Sequence, residues 1–274
     1  MNQSLREKIL ERMGELGIQP KRSMGQNFLV SDSVVDRIIR AADPAAFAQV
    51  IEVGPGLGAL TDSLQELSKK LTLIEMDRAM VNWWSKRGLD VVETDALRYP
   101  WTQHPWVERP SLLVSNLPYQ VSSRLLVELS FLPQSFDRMV LMFQKEVAQR
   151  IMASHKSAEY GFLSVASQIF WKQKTLLEAG TRDFYPSPNV ASRVLVFNRR
   201  ENLAVKVLAT SGFLEFLKVS FAQKRKKLAP RLKQSGYGDH VLDSLEKLGL
   251  SGDVRPQQLE PQQFIDLYTL LKKE

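Results

Sequence analysis

From about Ser31 to Phe197, short apolar runs rich in Val, Ile and Leu alternate with amphipathic stretches of ten or more residues. Strands buried on both faces of a wound sheet read as continuous apolar runs, and the helices that cover them read as amphipathic, so the alternation predicts an α/β fold. The runs predict strands at Gln49–Val53, Leu71–Glu75, Asp90–Glu93, Ser111–Ser115, Arg138–Phe143, Lys174–Ala179 and Arg193–Asn198, enough for one seven-stranded, mostly parallel sheet. After Asn198 the strand signals stop. Arg199–Asn202 reads as a charged linker, and helical patterns follow at Phe213–Ala222, Val241–Leu248 and Gln262–Leu271. Pro261 suits a first helical turn, and Gly249 and Gly252 mark the stop and loop before it. The expected organisation is an α/β domain over 1–200, with an N-terminal arm, and a small all-helical domain over 201–274.

Composition narrows the chemistry. The chain has 274 residues, 44% hydrophobic and 24% charged, which excludes a disordered or collagen-like chain. It has no cysteine, so thiol nucleophiles, redox pairs and thiolate metal sites are excluded. His104, His155 and His240 are too scattered to suggest a metal site. The first residues mix Arg, Glu and Lys with Leu and Ile, unlike a secretory signal, and no run of about 18 apolar residues occurs, so a cytoplasmic protein that spans no membrane is expected. The net charge of +7 favours a polyanionic partner. Phe216 to Gly238 carries Lys218, Lys224, Arg225, Lys226, Lys227, Arg231 and Lys233 and no acid.

The apolar run VIEV ends in Gly54-Pro55-Gly56-Leu57-Gly58 and leads into a predicted helix, Ala59–Leu67. A strand, a glycine loop and a helix form a Rossmann-like nucleotide site, in which glycines at Gly54 and Gly56 let a ligand approach the backbone. Glu75, twenty-one residues after Gly54, closes the second strand, where a carboxylate can accept both hydroxyls of an adenosine ribose. Asp95, at the end of the third strand, can accept from an adenine amino group. No lysine or arginine stands near the loop to neutralise a diphosphate, so S-adenosylmethionine fits better than NAD, and its sulfonium suits the acidic surroundings.

Asn116-Leu117-Pro118-Tyr119 follows the apolar strand SLLVS, at the sheet edge where ligands meet. An exocyclic amine on a base is a poor nucleophile because its lone pair is delocalised into the ring. If the Asn116 side-chain oxygen and a backbone carbonyl of the turn, such as that of Leu117, each accept an N–H, the nitrogen is drawn towards tetrahedral geometry and its lone pair turns to the methyl group. Pro118 fixes the turn, and the Tyr119 ring offers a stacking face. Phe184, in the Phe184-Tyr185-Pro186-Ser187-Pro188 segment, is the candidate for the opposite face of the base. Upstream, Gly25-Gln26-Asn27-Phe28-Leu29 joins the basic Lys21-Arg22 to a helix capped near Ser31 or Asp32, and Asn27 can meet a polar end of the cofactor. Lys224, Arg225, Lys226 and Lys227 are the candidates for RNA phosphate contact.

In order, GQNFL, EVGPGLGALT, IEMD, DAL, NLPYQVSS, FQKEVAQRI, FYPSPNVASRV and FAQKRKKL resemble the motif series of the ribosomal RNA small-subunit adenine N6-dimethyltransferases of the KsgA type. The resemblance spans essentially the whole chain. It implies a class I methyltransferase fold that transfers methyl groups from S-adenosylmethionine to N6 of two adjacent adenines near the 3′ end of 16S ribosomal RNA. It further implies a monomer that acts on the small ribosomal subunit or its precursor during assembly. By the resemblance, Asn27, Leu29, Gly54, Glu75, Asp95 and Asn116 line the cofactor, while Asn116, Tyr119 and Phe184 match the target-base site. The chain departs from the usual pattern at Gln120, Val121, Arg124, Asn189 and Ala191. The rival readings are a methyltransferase of the macrolide-resistance type acting on 23S RNA, a non-catalytic ribosome assembly factor that keeps the fold, and a dehydrogenase.

Overall fold

The computed structural model describes residues 3–20, 27–102, 109–132, 135–200 and 211–272. Lys21, Arg22, Gly25, Gln26, His104, and Glu201 and Asn202 of the expected linker lie outside them. Among the described residues no helix is long and apolar enough to cross a membrane.

The chain resolves into two compact units: Met1–Leu129 with Phe136–Ala148 and Gln173–Arg199, and Ser130–Ser135 with Gln149–Lys172 and Arg200–Glu274. The last crossing between the units falls at Arg199–Arg200, but the helical unit is not confined to 201–274. The helical unit also takes in Gln149–Lys172 from the middle of the chain, because the helix there is buried almost all round and requires neighbours on every side.

The first unit is built on strands β2 (Gln49–Val53), β3 (Leu71–Glu75), β4 (Asp90–Glu93), β5 (Ser111–Asn116), β6 (Arg138–Gln144), β7 (Trp171–Ala179) and β9 (Ser192–Arg199). They form one seven-stranded sheet in the order β4-β3-β2-β5-β6-β9-β7. β2 to β6 run parallel, and β9 lies antiparallel to β6. Every residue of β2 is buried, as an interior parallel strand demands, whereas β7 at the edge exposes Lys172 and Lys174, charges that discourage edge-to-edge pairing. A further pair of two-residue strands, β1 (Phe28–Leu29) and β8 (Phe184–Tyr185), is antiparallel, and its local pattern was too short to show in the sequence.

Helices cover the sheet. α1 (Leu5–Glu15) starts at a capping box in which Ser4 and Glu7 satisfy each other's backbone N–H, and buries Leu5, Ile9 and Met13. α2 (Asp32–Ala42) buries Val34, Val35, Ile38, Ile39 and Ala42 on one stripe. The side chain of Ser31 makes no cap; Asp32 instead accepts the Leu5 N–H at 3.2 Å and so caps α1 from a distance of 27 residues. α3 (Thr61–Leu67), α4 (Arg78–Ser85), α5 (Tyr119–Ser130) and α6 (Lys145–Met152) follow. Chain connections leave β2 and β5 towards opposite sides of the sheet, which opens a crevice at their carboxyl ends.

In the helical unit, α7 (Phe162–Phe170) buries Leu163, Val165, Ala166, Ile169 and Phe170. Its two buried serines are satisfied, Ser164 by donating to the Arg150 carbonyl and Ser167 to the Leu163 carbonyl. α8 (Ser211–Phe221), α9 (Leu228–Gln234), α10 (Val241–Lys247) and α11 (Pro261–Lys272) complete it. Phe213, Phe216 and Tyr268 form its aromatic centre, with ring centroids 5.1 to 6.0 Å apart. α9 escaped the sequence pattern because Pro230 interrupts it; proline is tolerated there since the first helical turn needs no intrahelical N–H donor.

Candidate active site

The cleft opens where β2 and β5 part. Gly54, Gly56 and Gly58 adopt φ of +66°, +53° and +90°, a region closed to most side chains, which lets the loop turn sharply out of β2. A Cβ on Gly54 would stand 3.7 Å from Pro118, so the loop and the NLPY turn sit against each other across the two strand ends. The Ser115 hydroxyl donates to the Val53 carbonyl and ties the same two strands together.

The loop is braced from outside. Trp84 Nε1 donates to the Gly56 carbonyl at 2.9 Å, and Arg12 Nη1 donates to the Leu57 carbonyl at 2.8 Å. The second Arg12 nitrogen pairs with Asp62 at 2.7 Å. Sequence patterning did not single out Arg12 or Trp84, since an arginine on an amphipathic helix and a buried tryptophan carry no local mark of such a role.

Three carboxyl groups line the cleft: Glu52, Glu75 and Asp95. Glu75 is 7% exposed, and its Oε1 accepts the Met76 and Asp77 N–H at 2.7 and 2.9 Å while Oε2 accepts the Gly56 N–H at 3.3 Å. Burial pushes its carboxyl above the usual range, and the three N–H donors oppose that. Asp95 is held by the Leu97 N–H at 2.9 Å and is partly open to solvent. Glu52 is fully buried in β2, where it accepts from the Thr61 hydroxyl at 2.7 Å; burial raises its carboxyl to about 8. No lysine or arginine is among the described lining residues. With Glu52 protonated at neutral pH, Glu75 and Asp95 supply the acidic groups, and with no cation beside them they suit a positively charged adenosine cofactor and disfavour a diphosphate, so the donor set fits S-adenosylmethionine.

At the end of β5 the Asn116 amide nitrogen donates to the Asn27 carbonyl at 3.4 Å. The amide is thereby used, and the Asn116 oxygen accepts from none of the described residues. Leu117 is buried, Pro118 half-buried, and the Pro118 carbonyl accepts the Val121 N–H at 3.1 Å as α5 begins. The Tyr119 ring lines the cleft, with its hydroxyl hydrogen-bonded to the buried Ser192 hydroxyl at 2.7 Å; burial raises its phenol above the usual value. Asn27, Leu29, Gly54, Gly56, Glu75, Asp95, Asn116, Leu117, Pro118 and Tyr119 all line this one cleft.

Phe184 does not line it. Leu29 pairs with Phe184 in the β1–β8 ribbon, and the Phe184 side chain is 2% exposed in the hydrophobic core, so its expected place opposite Tyr119 is corrected to a core position. Met76, 57% exposed, and the neighbouring Gln120 and Val121 line the cleft without having been foreseen. Arg124, one of the departures from the motif pattern, pairs with Glu128 one turn along α5 at 2.9 Å.

The basic run lies in the other unit. Lys227 pairs with Asp253 at 2.7 Å, Lys218 with Glu215 at 3.7 Å and Lys233 with Asp239 at 3.4 Å, all with acids from outside the run. Lys224 donates to the Ala158 carbonyl at 2.6 Å.

Comparison with known proteins places these features in a family. The model of the ribosomal RNA adenine dimethylases matches residues 17–273. The ribosomal RNA small subunit methyltransferase A of Bdellovibrio bacteriovorus is 45% identical over 268 residues, covering 96% of each chain. A dimethyladenosine transferase from Plasmodium falciparum, 26% identical, superposes with a TM-score of 0.76 over 90% of this chain and 98% of its own. The 23S rRNA methyltransferase ErmE, 22% identical over 89% of this chain and 99% of its own at a TM-score of 0.62, shares the fold. With the glycine loop, the acids and the NLPY turn gathered in one cleft, the chain belongs to the ribosomal RNA adenine dimethylase family.

Proposed function

We propose that this chain is the enzyme that dimethylates N6 of two adjacent adenines near the 3′ end of 16S ribosomal RNA, with S-adenosylmethionine as methyl donor and the small ribosomal subunit or its precursor as partner. The observation that carries the reading is the placement of the Asn116–Tyr119 turn beside the glycine loop and the acids in a single cleft. The bound cofactor supplies an electrophilic methyl group on a sulfonium. Glu75 holds the ribose hydroxyls, Asp95 the adenine amino group, and Asn27, Leu29 and the Gly54–Gly56 backbone complete the cofactor wall.

Asn116 presents its oxygen to one N6–H of the target adenine, and the Leu117 carbonyl takes the other. With the cofactor held by Glu75, Asp95 and the glycine loop, the nitrogen lone pair would face the methyl group that the cofactor would supply, in exchange for one N6 proton released to solvent. After the first transfer one N–H remains, so Asn116 or the turn carbonyl still orients the nitrogen for the second. Tyr119 stacks on the base, its ring angle set by Ser192. Arg225 and Lys226 serve the RNA backbone; Lys224 and Lys227, already engaged by Ala158 and Asp253, contribute less. The preference for 16S over 23S RNA rests on the likeness to small-subunit enzymes at 45% identity.

Methyl transfer from labelled S-adenosylmethionine to separately purified, unmethylated small and large subunits, followed by nucleoside analysis, tests the reading. Dimethyladenosine confined to the small subunit is the expected result. Label in the large subunit selects the resistance-type activity, and label in neither, with cofactor binding intact, selects the assembly factor.

A further inference from the structure

α1 lies ahead of residues 17–273, the part of the chain that matches the family model, so the family likeness gives this helix no role. The helix nevertheless reaches the cofactor cleft. Ile9 is fully buried behind the cleft wall and shares its hydrophobic core with Phe28, Leu29, Leu57 and Leu60, which line the cleft. Three residues on, one guanidinium joins α1 to three other elements. Arg12 donates to the Leu57 carbonyl of the glycine loop at 2.8 Å, pairs with Asp62 in the first turn of α3 at 2.7 Å, and lies 5.1 and 5.9 Å from the ring centres of Trp83 and Trp84 on α4.

The loop has particular need of such a contact. Gly54, Gly56 and Gly58 all stand at positive φ, and glycine backbone is costly to hold in one conformation. Glu75 fixes the Gly56 N–H, Trp84 the Gly56 carbonyl, and Arg12 the Leu57 carbonyl. The first two come from β3 and α4 of the wound sheet and the third from α1. A loop ordered before the cofactor arrives has less freedom to lose when it binds, so a contact that fixes the loop raises affinity. The coupling is reciprocal: a bound cofactor that holds the loop also holds α1. Arginine suits the position because its planar fork serves the carbonyl and the carboxylate together while its face lies on the indoles, whereas lysine carries a point charge.

We propose that α1 is part of the cofactor site, with Arg12 as a positioning residue that locks the glycine loop, so that docking of α1 and binding of S-adenosylmethionine favour each other. The inference rests on the assignment of S-adenosylmethionine as cofactor.

The test measures equilibrium binding of S-adenosylmethionine and of its demethylated thioether, S-adenosylhomocysteine, to the full chain, together with amide hydrogen exchange in α1. Arg12→Met keeps an apolar stem and removes the donors, and is expected to weaken both ligands about tenfold, an ordinary coupling between sites. The sign is diagnostic, because on charge alone the loss of a cation near Glu75 and Asp95 would tighten the sulfonium and leave the thioether unchanged. Arg12→Lys is expected to fall between the two. Arg87→Met removes a cation stacked 3.4 Å from the Trp83 ring centre, and is expected to leave both affinities at the wild-type value. In methyl transfer, Arg12→Met raises KM for the cofactor with kcat unchanged. Bound S-adenosylhomocysteine is expected to slow exchange in α1 of the wild type and not of Arg12→Met. Unchanged or tighter S-adenosylmethionine binding in Arg12→Met, an equal loss in Arg87→Met, or exchange in α1 indifferent to ligand would each overturn the role of α1 alone. A wild type that binds neither ligand would overturn the cofactor assignment and this proposal with it.

Discussion

Asn116 has one amide group and one oxygen, and the structure uses the amide on the Asn27 carbonyl. The oxygen is therefore aimed by a backbone atom of a segment 89 residues away. Asn116→Ala is expected to lower the rate of methyl transfer about 100-fold or more while S-adenosylmethionine binding persists, because the lost group acts on the target amine. Near-normal turnover would remove Asn116 from the mechanism. Tyr119 separates two contributions: Tyr119→Phe keeps the ring and loses the bond to Ser192, and Tyr119→Ala loses the stacking face. The alanine variant is expected to weaken binding of the ribosomal substrate by about 1–3 kcal/mol, read as a raised KM, and the phenylalanine variant much less.

Glu52 makes a pH prediction with a definite sign. Its folded-state pKa, about 8, lies above the ordinary 4.5, so the native state binds the proton more tightly than the unfolded chain. The stabilisation is complete below pH 4.5 and is lost as pH rises towards 8. Glu52→Gln keeps a neutral group in the same place, so thermal melts without cofactor should match the wild type near pH 5 and exceed it near pH 9. Parallel pH curves for the two proteins would contradict the assignment.

At the scale of elements, the glycine loop depends on α1 and α4, the helices that supply Arg12 and Trp84. A Cβ on Gly58 would come within 2.6 Å of both Arg12 and Trp84 at φ +90°. Gly58→Ala should thus cost about 2–5 kcal/mol in denaturant melts, the sum of backbone strain and overpacking. Gly14, in the exposed body of α1, meets nothing within 4 Å, and Gly14→Ala should stabilise by about 0.5–1 kcal/mol. A similar effect of the two substitutions would show that the loop tolerates a displaced brace. The pair β1–β8 works in the same way: it brings Asn27 to Asn116 by anchoring the next residues, Phe28 and Leu29, to Tyr185 and Phe184.

At the scale of the molecule, α7 sets the limits of truncation. Its Leu163, Val165, Ala166, Ile169 and Phe170 are buried, and the unit containing them draws most of its remaining helices from beyond residue 200. A chain ending at residue 200 is expected to expose that surface and to bind a hydrophobic dye or aggregate, although the seven sheet strands are all present. Clean, cooperative folding of that fragment would show that α7 finds other cover. The charge pattern likewise resolves in space. Arg225→Met with Lys226→Met should flatten the salt dependence of ribosomal binding, whereas Lys227→Met, which removes one exposed ion pair with Asp253, should leave it nearly unchanged.

The sequence by itself determined the sheet, since parallel strands buried on both faces write themselves as unbroken apolar runs. β2, β3 and β4 begin and end at the residues those runs predict. It also pointed to the residues that line the cleft, because glycine loops, strand-end acids and the NLPY turn are placed at the sheet edge by local backbone geometry. What depends on distant partners was left to the tertiary structure: Arg12 and Trp84 reaching the glycine loop, Asn27 orienting Asn116, the burial of Phe184, and the neutralisation of Lys227 by Asp253. A side chain's type and local spacing state what it can do. Only packing decides what it meets, because burial and pairing are made between segments far apart along the chain.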